Sequence, residues 1–215
     1  GTSQVASLTT KQLAAMTTTQ IVAMETSDLA VVTTSQLAGL TTAQMAAMTT
    51  TQVVGLGSTQ VSVLTTTQLA AMTTTQIAAM EATDLAAITT ANITGLTTAQ
   101  VAGMGTTQVS SLTTSQLVAM TTAQIAAMET ADVAAMGTTQ VAALTTAQVV
   151  GLGSTQISSM TTTQLVAMTT AQIAAMQTAD VAALGTTQVS ALTATSSSSG
   201  SQLVNMTTIQ IASLT

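Results

Sequence analysis

The chain contains no cysteine, histidine, proline, tryptophan, tyrosine or phenylalanine, and Lys11 is its only basic residue. Each absence closes a class of function. Without imidazole, thiolate, phenol or guanidinium, most of the usual catalytic toolkit is missing. No catalytic residue is therefore assigned, and the chain reads as a non-enzyme. The preferred ligands of zinc, haem and iron–sulfur clusters are missing too, so no cofactor is expected. A net charge of −6 with a single cation leaves nothing to neutralise phosphates, and there are no aromatic rings to stack on bases, which excludes nucleic acid. Long apolar runs are also absent. Stretches such as Leu29-Ala30-Val31-Val32 are soon interrupted by Thr and Gln, far short of the roughly 20 apolar residues a membrane span requires. Charge is scarce rather than abundant, at 4% against 47% hydrophobic residues, which is the opposite of a disordered composition.

What is present is one motif, copied. Every eighth residue from Leu8 to Leu192 is Leu, Met, Val or Ile, through 24 consecutive octads. Three residues before each stands a second large aliphatic, preceded by a polar trio ending in Gln, Asp or Asn. With φ a large aliphatic and a a small residue, the unit reads T-T-x-Q-φ-a-a-φ. Repetition at a fixed period marks a stack of small supersecondary modules.

A continuous helix is excluded by arithmetic, because eight residues turn through about 800° and an apolar stripe would drift about 80° per octad. Each octad must contain a break, and the Thr pair is where it fits. In Leu40-Thr41-Thr42-Ala43-Gln44-Met45, Thr41 is the N-cap and Gln44 the third helical residue, the two halves of a capping box. Leu40 and Met45 are then spaced as a hydrophobic staple. The same alignment holds for 64–72, 112–120 and 144–152. Position 1 is sometimes Gly (Gly57, Gly105, Gly153) or Glu (Glu25, Glu81, Glu129), which leaves open whether the cap there sits one residue later.

A helix this short cannot stand alone, since nucleation costs more than so few bonds return. The fold expected is therefore all-α: a solenoid of very short stacked helices, one per octapeptide. Positions 5 and 8 would form its core, and small residues at 6 and 7, including Gly39, Gly55, Gly95, Gly103 and Gly151, would let backbones approach. The methionines at position 8 (Met16, Met72, Met120, Met168) read as adaptable core filler. The alternative is a β-solenoid with turns at Thr-Thr. Against it, the large aliphatics are three and five apart rather than two, and Asn occurs only at Asn92 and Asn205.

Octads differ in a second pattern. G-x-T-Q octads begin at Gly57, Gly105 and Gly153, with an off-beat copy at Gly185. All seven acidic residues fall in one octad class: Glu25 and Asp28, Glu81 and Asp84, Glu129 and Asp132, and Asp180. These are candidate ligands for a hard cation such as Ca²⁺. The alternative reading is that they favour the helix dipole and keep a nearly uncharged surface soluble. No other metal site is expected. Residues 1–215 read as a single octapeptide array excerpted from a longer chain. It is interrupted once by Ser196 to Ser201 (SSSSGS), a six-residue Ser/Gly insertion expected to be a surface loop.

Tracts such as Leu96-Thr97-Thr98-Ala99-Gln100-Val101-Ala102 and Met120-Thr121-Thr122-Ala123-Gln124-Ile125-Ala126-Ala127-Met128 resemble the L-T-T-A-Q-[IV]-A-A-L octapeptide arrays of very large bacterial surface and adhesin-like proteins. The resemblance covers the chain apart from Ser196 to Ser201. It implies an extracellular or cell-surface location and a structural role as a filament, surface fibre or adhesin stalk. The partners expected are copies of the same chain, joined head-to-tail or laterally. A Thr-rich surface for ice or glycan, carried on a β-solenoid, is the functional alternative.

Overall fold

A computed structural model of the chain describes residues 1–194 and 206–214. Among these there are 25 short helices and no strand, so the all-α expectation holds and the β-solenoid alternative does not. The inserted residues Ser196 to Ser201, expected as a surface loop, lie outside the described residues.

Each octad makes one helix because its two ends are specified. Thr41 is extended at φ −73°, ψ 158°, and its hydroxyl accepts the N–H of Gln44 at 3.2 Å. In return Gln44 Oε1 accepts the N–H of Thr41 at 2.8 Å, closing the box. At the other end Met48 is extended again (φ −56°, ψ 143°), followed by Thr49 at φ −74°, ψ 157°. Two consecutive extended residues, positions 8 and 1, thus separate one helix from the next.

The helix break does not move where position 1 lacks a hydroxyl. Gly57 (φ −90°, ψ 162°), Gly105 (φ −94°, ψ 163°), Glu25 (φ −74°, ψ 156°) and Glu81 (φ −66°, ψ 148°) are all N-caps with extended backbone. The third-residue N–H then turns to the N-cap's own carbonyl, as from Gln60 to Gly57 at 2.8 Å and from Asp84 to Glu81 at 3.0 Å. Gly57 still donates its N–H to Gln60 Oε1 at 3.0 Å. At the glycine caps the half of the box that persists is the one supplied by position 4, whereas the Glu25 and Glu81 caps have no box.

One helix runs past the octad boundary. Thr193 opens an octad, but three residues on stands Ser196 rather than Gln, because the insertion has displaced Gln202. The preceding helix runs from Thr186 to Ala194, nine residues, through the position at which the others stop.

The described residues form two compact units, Gly1–Leu112 and Thr113–Thr215, and each is an α-solenoid. Within both, the helices that touch are not consecutive. In the first unit Ser58–Val61 packs on Ala82–Ala87, and that on Thr106–Ser111. In the second, Thr138–Ala143 packs on Thr162–Ala167 and Thr146–Gly151 on Thr170–Ala175. Every one of these steps is three octads. Contacts to the fourth octad come from Gln side chains, described below. Each solenoid therefore turns once in between three and four octads, so that octad n meets n+3 and n+4 much as residues do on an α-helix.

Positions 5 and 8 line the inside. Val61, Leu64, Leu69, Ile77, Leu117 and Ile173 are wholly buried, and the Met residues at position 8 fill in beside them, with Met72, Met120 and Met168 at 2–3% exposure. Burying one such side chain contributes roughly 1.5–3 kcal/mol. Position 7 sets how closely the turns approach. A Cβ on Gly95 would lie 2.5 Å from the Cα and carbonyl oxygen of Thr66, and one on Gly39 would meet Thr10 Cγ2 at 2.1 Å. Both partners lie three octads back.

Candidate functional site

A helix of five or six residues has few internal bonds: nearly every N–H and C=O it owns is an end group. Buried end groups without partners cost about 1–3 kcal/mol each, so an array of such helices stands or falls on who satisfies them. The answer in both units is the side chain at position 4.

Gln148 shows the arrangement. It is 2% exposed. Its Oε1 accepts the N–H of Thr145 at 2.8 Å, at the start of its own helix. Its Nε2 donates to the carbonyl oxygens of Leu117 and Met120 at 2.7 and 2.8 Å, at the end of the helix four octads earlier. The sequence separations are 31 and 28 residues. The same two separations recur from Gln44 to Leu13 and Met16, from Gln68 to Leu37 and Leu40, from Gln100 to Leu69 and Met72, and from Gln172 to Val141 and Leu144. One carboxamide thus caps the start of one helix and the end of another. The first role is evident from the box spacing; the second is absent from a reading of the octad in isolation, because it needs the superhelical period.

The insertion leaves this phase intact. Gln210 Nε2 donates to Met176 and Ile173, 34 and 37 residues earlier. Those intervals exceed the usual pair by six, the length of Ser196 to Ser201.

The acidic octads depart from the rule. Asp28, Asp84, Asp132 and Asp180 stand where Gln stands elsewhere, and all are buried, at 9%, 4%, 2% and 2% exposure. At two of the four the carboxylate keeps the accepting half: Asp132 Oδ2 takes the N–H of Glu129 at 3.3 Å, and Asp180 Oδ2 that of Gln177 at 3.1 Å. It loses the donating half, having no N–H. Two of the four receive a hydroxyl instead, from Ser58 to Asp84 Oδ1 at 2.6 Å and from Ser154 to Asp180 Oδ1 at 2.9 Å. Asp28 Oδ1 is buried with no hydrogen-bond partner. Burial pushes the Asp132 carboxyl above its ordinary range, the N–H of Glu129 works against that rise, and the Glu129 charge adds to it.

These contacts explain the second pattern in the sequence. Gly1, Gly57, Gly105 and Gly153 each stand 24 residues before position 1 of an acidic octad, at Glu25, Glu81, Glu129 and Gln177. Ser58 and Ser154 follow two of those glycines and supply the hydroxyls. The 24-residue offset is three octads, the stacking step, and was the available signal for this pairing.

As calcium candidates, Glu25, Asp28, Glu81, Asp84, Glu129, Asp132 and Asp180 are placed as follows. Each Asp points inward, while Glu25, Glu81 and Glu129 are exposed at the rim. Among the described residues no three acidic side chains come together. The chemistry that the position-4 network performs is hydrogen bonding and packing, repeated along each unit.

No helix among the described residues is long and apolar enough to cross a membrane. No curated protein and no solved structure matches the chain. A sequence profile of the ALTTAQ repeat does, at residues 21–58, 46–74, 77–114, 125–162 and 158–194, which together take in most of the chain. Two pairs of these segments overlap because the octad itself is the repeating element, and the protein is a member of the ALTTAQ repeat family.

Proposed function

We propose that the chain is a structural repeat protein that builds an extracellular filament, a surface fibre or the stalk of an adhesin. The observation that carries this reading is the position-4 carboxamide, which within each unit ties one octad to the octad four places back by the same pair of bonds, as at Gln68, Gln148 and Gln172. Such an array lengthens by adding octads and needs no new chemistry to do so. Copies joined head-to-tail or side by side would extend it further. The lack of His and Cys fits a role in which nothing reacts.

Electron microscopy of the native full-length protein tests the proposal. Fibres one solenoid wide, or bundles of them, are the expected result; a compact globular particle would sink it. Labelling of intact cells with an antibody to the array tests the location separately, and signal only after permeabilisation would place the protein inside.

The Thr-rich binding reading has lost its support. It needed Thr hydroxyls free on a flat β face, whereas Thr41, Thr145 and Thr169 spend theirs on helix caps.

A further inference from the structure

Position 4 is Gln or Asp in every octad up to residue 192 except one, where it is Asn92. Asparagine is a methylene shorter than glutamine. By register its acceptors would be the carbonyls of Val61 and Leu64, and its amide makes no bond to them; among the described residues the Asn92 side chain has no hydrogen-bond partner. No capping box closes the start of its helix, Thr90–Ile93, which at four residues is as short as any in the chain. Its side chain is partly exposed, whereas the position-4 Gln residues from Gln36 to Gln188 are buried. Two residues on, Thr94 is exposed at the helix end, its hydroxyl donating to the Ala91 carbonyl at 3.0 Å.

Asn92-Ile93-Thr94 is thus an Asn-x-Thr tripeptide with an unengaged carboxamide and an exposed threonine. That tripeptide is the acceptor pattern for N-linked glycosylation. We propose that Asn92 is an N-glycan attachment site, a reading that rests on the extracellular location proposed above. The co-substrate is a diphosphate-linked sugar presented by a transferase. The bond from sugar C1 to phosphate oxygen breaks with its electron pair, Nδ2 of Asn92 bonds to C1, and the displaced amide proton passes to a base of the transferase. Asn205-Met206-Thr207 has the same pattern, but Asn205 lies outside the described residues and carries no part of the argument.

Mass spectrometry of protein isolated from its own cells is the test. Cleavage after acidic residues releases 85–129, in which Asn92 is the only asparagine. The peptide is expected to be heavier by whole saccharide units, and to lose them on N-glycosidase treatment with conversion of Asn92 to Asp. T94V, which keeps the asparagine, and N92Q, which installs the residue typical of position 4, are both expected to abolish the added mass. A bare Asn92 peptide from the native protein overturns the inference. If that bare protein forms surface fibres, only this inference falls; if a glycosylated protein forms none, only the filament reading does.

Discussion

Gln148 donates its Nε2 to the carbonyl oxygen of Met120, 28 residues earlier, at 2.8 Å. The same carboxamide holds the Thr145 N–H with its oxygen, so removing it strands groups on two helices at once. Q148L is expected to destabilise its unit by about 2–4 kcal/mol, the sum of a lost cap and buried carbonyls left without a donor. T145V removes only the hydroxyl half and should cost about 1 kcal/mol. Urea denaturation of the two variants checks the ordering. Equal losses would mean that the bond between octads contributes nothing beyond the cap.

The glycines divide by position, and the division is testable. G95A places a methyl group 2.5 Å from the Thr66 backbone, which has no flexible end to yield. Overpacking of this kind costs about 1–3 kcal/mol. A Cβ on Gly57 meets nothing within 4 Å, so G57A should lie within about 0.5 kcal/mol of the parent. G57T should gain a few tenths by restoring the cap hydroxyl. Melting temperatures of the three variants decide the matter, and a destabilised G57T would show that the cap site is not open.

Much of this was legible in the octad. Where the Thr-capped helices start and which aliphatics are buried follow from one box and one staple, as Thr41, Gln44 and Met45 show, whereas the burial of Gln44 itself does not. The partner of each octad was not legible, because the eightfold period is the same whether octad n meets n+1 or n+4. Only residues that differ between octads carry that information. Gly57 and Asp84, set 27 residues apart like Gly153 and Asp180, are such residues. Their offset points to the third octad, but it becomes interpretable once Ser58 is seen to donate to Asp84. Two roles for one Gln are likewise invisible in a string where the residue appears once.

The six-residue insertion should be dispensable. Gln210 already pairs with Met176 as though the insertion were not counted. Deleting Ser196 to Ser201 puts Gln202 three residues after Thr193 and restores a capping box there. The helix Thr186–Ala194 is then expected to end at position 7 like its neighbours, and the unit to gain about 1 kcal/mol. Hydrogen exchange reads the change directly: protection at Ala194 falls while protection at Thr193, held by Gln202, and around Gln210 is kept. Loss of protection at Gln210 would show that the insertion is needed for the register.

Acid should strengthen the second unit through Asp132. Burial is the main reason that its carboxyl is raised above the ordinary carboxylate range, so the folded state holds its proton more tightly than the unfolded chain does. Where the native state binds more protons, stability falls as pH rises. The loss runs from about the ordinary carboxylate value up to the raised folded value, and acidification through that interval recovers it. The chain carries seven acidic residues, so the slope of the parent alone assigns nothing. D132N removes this one group and leaves the other six. Urea midpoints measured across the acidic range should rise more steeply on acidification for the parent than for D132N, with the gap opening above the ordinary carboxylate range. Parallel curves would mean that the neutral form of Asp132 is no better accommodated than the charged one. The Glu129 N–H, which favours the carboxylate, would then be offsetting the burial that opposes it.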